Sequence, residues 1–254
     1  MCDDLISKHY LNSAPNATLH PSPPGTTHFT LHPSGNTWLI IKDPIDLDVL
    51  DNIRPKWNTL NSYDPKVAEW ALANGHRVDM LRVMKKDVAN LVSQTAPASE
   101  GSDAAAVSGV PPPPGYAPSA AITTKTWFLA TYPLLANTMH KAGEQIFSVS
   151  DTSRSIPQRA GWLTALPDAD SGRVYISSLQ VLEAHRRKGL AGYLVSQVAK
   201  WWSGAGGKEI WLTVFEKNAA GKGLYESLGF ETVSTLAVIS RVGQREGLIH
   251  DGCD

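Results

Sequence analysis

The chain has 254 residues, of which 42% are hydrophobic and 8% aromatic, enough to bury a core and too apolar for a wholly disordered polymer. Twenty-three Lys and Arg against 24 Asp and Glu leave a formal charge of -1, so no global field holds a polyanion; nucleic acid is excluded as a general partner and phosphate binding must be local. The two cysteines, Cys2 and Cys253, cannot make a disulfide framework or a cysteine-rich zinc site. No run approaches the roughly 18 apolar residues of a membrane span, and no basic segment precedes an apolar one at the N-terminus, so the expected setting is cytoplasmic with no membrane partner.

Residues 1–35 read as a flexible Pro- and Thr-rich leader. Its His28 and His32 would suit a metal pair only on a helix, which Pro33 opposes, so no metal site is expected. Thr37 to Ile41 is a short strand. Asp43 and Pro44 then signal a helix carrying Ile45, Val49 and Ile53, and Asp64-Pro65 with Asn74-Gly75 bracket a second. Leu81, Met84, Val88 and Leu91 recur at steps of three and four, which predicts an amphipathic helix. Residues 96–121 are rich in Pro, Ala and Ser, with a four-proline block at Pro111 to Pro114, and are expected to be extended and solvated.

Strand signals follow at Ile122 to Tyr132, Gln145 to Val149, Ala160 to Leu166 and Arg173 to Leu182. A helix is expected from Leu190 to Trp202, stopping in the glycines at Gly204 to Gly207, then a strand from Glu209 to Val214, a helix from Asn218 to Leu228 and a strand from Phe230 to Ile239. This order predicts an α/β fold around a mixed, mostly antiparallel sheet over residues 36–246, interrupted by the insertion, with 247–254 as a loose tail.

The chemistry concentrates in Leu179-Gln180-Val181-Leu182-Glu183-Ala184-His185-Arg186-Arg187-Lys188-Gly189-Leu190-Ala191, where a strand leaves through a basic, glycine-containing turn into a helix. Unpaired amides at such a helix start bind anions, and Gly189 and Ala191 keep the approach clear. A pyrophosphate fits. The G-x-G-x-x-G and G-K-[ST] elements of dinucleotide and Walker loops are missing.

The segment resembles the acetyl-CoA motif of the GNAT superfamily of N-acetyltransferases, with Arg186-x-x-Gly189-x-Ala191 in place of Q/R-x-x-G-x-G/A. A second block, Asn218 followed by Leu224-Tyr225-Glu226-Ser227-Leu228-Gly229-Phe230, is similar to another of the family's segments, with Gly221 where alanine is usual. The resemblance implies a splayed parallel strand pair, Val174 to Val181 beside Glu209 to Val214, that holds acetyl-CoA as cosubstrate. Leu179 and Val181 would pair with the pantetheine arm. The amides from Arg187 through Lys188, Gly189, Leu190 and Ala191, with Arg186, would hold the diphosphate, and Asn218 would touch the arm from the other side. Tyr225 takes the place of the general acid that protonates the departing thiolate; a phenol of pKa ~10 stays protonated at neutral pH and can supply a thiolate of pKa ~8.5.

The base is less defined. Tyr175 and Ser177 occupy strand positions where bases often sit but are weak, and Glu183, one residue past the strand, is the nominated carboxylate; His185 is expected to pack. Trp38, Trp57 and Tyr63 could line an acceptor pocket or the core. The expected reaction is direct transfer to a primary amine of a small molecule in a ternary complex, with a protein acceptor, or acyl-CoA binding without catalysis, as alternatives. Too few residues follow Phe230 for the two strands that usually end the fold, so either the last hairpin is short or a partner completes the edge; monomer and homodimer both fit.

Overall fold

The computed structural model describes residues 17–22, 24–31, 36–50, 52–53, 56–94, 110–119, 144–153 and 155–241. The expected strand at Ile122 to Tyr132 and the 247–254 tail lie outside them. In chain order the strands are β1 (Ala17–His20), β2 (Thr26–Leu31), β3 (Asn36–Ile41), β4 (Thr59–Ser62), β5 (Arg77–Asp87), β6 (Tyr116–Pro118), β7 (Gln145–Asp151), β8 (Gln158–Asp168), β9 (Arg173–Val181), β10 (Glu209–Phe215) and β11 (Glu231–Ser240). The helices are α1 (Pro65–Ala73), α2 (Val88–Gln94), α3 (Leu190–Gly204) and α4 (Ala219–Ser227).

One sheet holds all these strands in the order β1-β2-β3-β4-β11-β5-β10-β9-β8-β7-β6. The order has an internal symmetry about the antiparallel β5/β11 pair. On one side β3 runs parallel to β4, and β4 leads through α1 to β5; on the other β9 runs parallel to β10, and β10 leads through α4 to β11. Each half hands its last strand across: β5 pairs with β10, and β11 pairs with β4. The place between β10 and β11 is therefore taken by β5 of the same chain.

Alternation along β5 sorts the core. Met84 belongs to the cluster under α2, α3 and α4, and Val78 packs on the cluster under α1, so all four helices cover one face. Leu81 and Val83 point to the other face and join Tyr175, Trp211, Leu236 and Val238. Here the expected helix from Leu81 to Leu91 is corrected: residues to Asp87 are strand and only Val88–Gln94 is helical. A central strand buried on both faces is nearly continuously apolar, and such a run also matches steps of three and four.

Three other expectations change. The helix after Asp43-Pro44 shrinks to a 3-10 turn at Leu47–Val49, capped by Asp46, although Ile45, Val49 and Ile53 still pack inward. Part of the leader forms the β1/β2 hairpin and buries Phe29. His28 pairs in register with His20 there, the rings 4.9 Å apart, and His32 lies outside the described residues. The end of the proline insertion is also ordered: β6 is an edge strand on β7, where Pro118 costs no ladder bond, and Val110 and Tyr116 pack on the core. Asp64, Pro65 and Asn74 bound α1 as predicted.

Because each half contributes a central strand to the other, the two cannot melt independently. Denaturant unfolding should show one cooperative transition, and Met84→Ala, which empties a site in the far half's core, should cost about 2–4 kcal/mol without splitting it. Two separable transitions would contradict the strand exchange.

Candidate functional site

The sheet opens between β9 and β10. Their parallel pairing runs from Arg173↔Glu209 to Ile176↔Leu212 and stops, while β9 continues to Val181 and β10 to Phe215. A β-bulge lies at this point: Thr164 of β8 faces Ser178, but Ala165 faces Ile176, leaving Ser177 as the extra residue. A bulge bends its strand and increases the local twist, which carries the end of β9 away from β10. It also resets the alternation. Val174 and Ile176 face the helices, Tyr175 faces away, and beyond the bulge Leu179 and Val181 return to the helical side. The equivalent β3/β4 pair is bonded to its end at Ile41↔Ser62 and makes no fork; the turn after it carries Asp43, Asp46 and Asp48, which repel an anion.

The backbone of β9 is aimed by its neighbours. The amide of Leu182 donates to Ala160 O of β8, so the peptide groups of Val181, one step back, point toward the fork. Leu179, two further back, shares that direction. The Val181 carbonyl accepts from Arg186 Nε at 3.2 Å, which folds this arginine over the mouth of the fork.

The turn beyond is built for an anion. Residues Glu183–His185 form one 3-10 turn, Arg187 adopts a left-handed φ of 63°, and Gly189 follows at 78° as the N-cap of α3. No side chain caps α3, so its first amides are open to a ligand, and left-handed residues beside them turn successive N–H groups inward. Arg186, Arg187 and Lys188 are exposed around it, and Leu190 and Ala191 begin the helix. A Cβ on Gly189 would meet only Pro113, 3.8 Å away. The proline block expected in solvent thus lies along the turn. Tyr116 anchors it, with its hydroxyl 3.0 Å from His185 Nδ1 and Lys188 Nζ 5.8 Å above its ring. Nothing in the proline-rich composition signalled this contact; the lone aromatic among the small residues was the available hint.

Asn218 caps α4, its Oδ1 accepting from Gly221 N at 2.8 Å, and a Cβ on residue 221 would come within 2.9 Å of the Asn218 side chain. Glycine in place of the usual alanine keeps this cap. Tyr225 is 7% exposed, its ring 5.6 Å from Phe230, in the same cluster against which Leu179 and Val181 pack. Glu183, by contrast, is exposed on the 3-10 turn at the anion end, six residues beyond the bulge. Trp57 is fully buried under Arg241 and beside Trp70 and His76, and belongs to the core.

Across the sheet the bulge presents Ser177 to a carboxylate the sequence did not single out. Ser177 Oγ donates to Glu144 Oε1 at 2.8 Å and lies 2.7 Å from Thr164 Oγ1. Burial pushes the Glu144 carboxyl up to about 7, against hydrogen bonds from Ser177 and Thr164 that lower it. Tyr175, on the same face, has its hydroxyl 2.8 Å from Thr213 Oγ1; burial raises its pKa too. Among the described residues no group of His, Cys, Asp and Glu could hold a metal ion, and no helix is long and apolar enough to cross a membrane.

Residues 119–230 match the model of the Acetyltransferase (GNAT) family. The fold is shared more widely. A GCN5-related N-acetyltransferase from Kribbella flavida superposes with a TM-score of 0.66 at 14% identity, covering 96% of each chain. A tandem GNAT protein from the clavulanic acid biosynthesis pathway gives 0.52 at 13%, over 89% of this chain and 86% of that one. A GCN5-related N-acetyltransferase-like protein from Streptococcus suis gives 0.55 at 13%, over 89% and 88%. Among curated proteins none is a significant sequence match.

A carboxyl whose folded pKa is raised binds a proton that the unfolded chain has released. Between the ordinary 4.5 and about 7, stability therefore falls as pH rises, and the loss is complete above that window. Glu144→Gln keeps an acceptor for Ser177 and does not titrate. Its unfolding free energy should match wild type near pH 4 and exceed it at pH 8, by a margin on the order of 3 kcal/mol. An equal margin at both pH values would contradict the raised pKa.

Proposed function

We propose that the protein is an acetyl-CoA-dependent N-acetyltransferase that moves the acetyl group to a primary amine of a small molecule by direct attack in a ternary complex. The observation that carries this reading is the fork opened by the Ser177 bulge, continuous with the uncapped, left-handed turn at Arg187 and Gly189. Acetyl-CoA is a peptide-like arm ending in a diphosphate, and these two features fit its two ends. Leu179 and Val181 offer strand peptides to the arm; the amides from Arg187 to Ala191, with Arg186 and Lys188, offer charge and donors to the diphosphate.

Tyr225 lies in the cluster behind the fork and takes the acid role, giving its proton to the departing thiolate. A fork-side amide of β9 can donate to the oxygen that becomes negative during attack. Direct transfer agrees with the lack of a cysteine in β8, β9, β10 and α3, the elements that build the fork.

Incubation with acetyl-CoA and a panel of alkyl amines, aryl amines, amino acids and lysine peptides, read by mass spectrometry, should yield N-acetylated small amines. Acetylated lysine peptides alone would move the acceptor class to protein, and acetyl-CoA binding without any product would overturn the transferase reading. Tyr225→Phe should lower kcat by about 10²-fold or more with acetyl-CoA affinity nearly unchanged. Arg186→Ala should instead weaken acetyl-CoA binding, measured by calorimetry, by about tenfold, the scale of one charge-assisted hydrogen bond.

A further inference from the structure

Among the described residues, two carboxylates on or beside the central strands are neutralised by pairs of cations. Glu209 is bound by Lys85 and Arg173, and Glu216 by Arg82 and Lys222. Glu144 differs: its described partners are hydroxyls, from Ser177 and Thr164. It opens the chain into β7, and its hydrogen bond lands on the residue whose bulge opens the fork.

We propose that Glu144 is the general base of the transfer, positioned by Ser177, and that it takes a proton from the acceptor ammonium on the sheet face opposite the helices. The proposal rests on the N-acetyltransferase reading above. Its geometric ground is the division made by the bulge. Residues on the helical side, Leu179, Val181 and Tyr225, stand where the thioester arm and its leaving sulfur fit, whereas Ser177 and Tyr175 face the other way. Nucleophile and leaving group occupy different sides of a tetrahedral centre, so acid and base are needed on different sides of the fork.

The surroundings keep this carboxyl available. β8 turns Thr164 toward it, and β9 turns Ser177, with Tyr175 beyond. Further along these strands Asp168 accepts from Ser171 and Arg173 pairs with Glu209, while Arg159 sits opposite Ser150 toward the other end of β8. Asp151, His185 and Glu183 stand at the far ends of β7 and β9. With hydroxyls as its partners among the described residues, and burial raising its pKa to about 7, the group can both accept and release a proton near neutrality.

The balance of the step is complete with groups already named. Glu144 removes one proton from the ammonium and passes it to solvent. The freed nitrogen forms the new bond to the acetyl carbon as the carbon–sulfur bond breaks. Tyr225 gives its proton to the sulfur and is restored by the second proton the nitrogen loses.

The test measures kcat and its pH dependence in the full chain, with the amine of the panel that wild type turns over fastest, alongside calorimetric acetyl-CoA affinity. Wild type should show a limb rising with an apparent pKa near 7. Glu144→Gln should retain acetyl-CoA affinity and cooperative unfolding, lower kcat by about 10²-fold or more, and lose that limb. Ser177→Ala should move the limb to higher pH, since it removes a hydrogen bond that stabilises the carboxylate; a purely structural serine would not. Unchanged kcat in Glu144→Gln, or a limb persisting there at the wild-type pH, overturns the base while leaving the transferase standing. A wild type that binds acetyl-CoA and acetylates no amine overturns both.

Discussion

The extra residue in β9 organises the C-terminal half of the molecule. Without the bulge at Ser177, β9 and β10 could stay bonded to their ends, as β3 and β4 do, and the sheet would offer no opening. The same residue separates two environments along one strand. Before it, Tyr175 faces the helix-free side; after it, Leu179 and Val181 line the helical side. One irregularity thus opens the fork, aims peptide groups into it and delivers a hydroxyl to Glu144.

The fork survives because the rest of the sheet is held firmly around it. An open pair of strands has lost ladder hydrogen bonds, and β10 keeps its register through its other edge, where β5 pairs along seven residues from Glu209 to Phe215. That support comes from the N-terminal half. Arg82 on β5 reaches Glu216 at 2.6 Å and Glu226 at 3.0 Å, tying the loop and helix after β10 to the same strand. The N-terminal half repeats the architecture with a closed fork and an acidic turn, so its contribution to the site is mechanical: it supplies the strand that the C-terminal half lacks.

The proline segment adds a contact to the anion turn from a distant part of the chain. Tyr116 bonds to His185 within the anion turn, and Pro113 lies beside Gly189, so the turn's outer wall is formed by residues some 70 positions upstream. Extended proline-rich chain loses little entropy on being laid against a surface, and β6 needs few ladder bonds at the sheet edge.

The sequence by itself determined the local features whose physics is short-range. The basic turn at Arg186 to Ala191, the α1 boundaries and the strands from Gln145 onward follow from residue type and spacing, because dihedral preference and capping act within a few residues. The tertiary structure decided what depends on contacts between distant segments. Strand character in Leu81 to Asp87 arises from burial on both faces between β10 and β11, and the same residues in isolation fit a helix equally well. The missing final strand was invisible because strand exchange is a pairing across more than 120 positions. Glu144 was also hidden: a carboxylate before a strand is ordinary in sequence, and only the fold sets it against Ser177 and buries it.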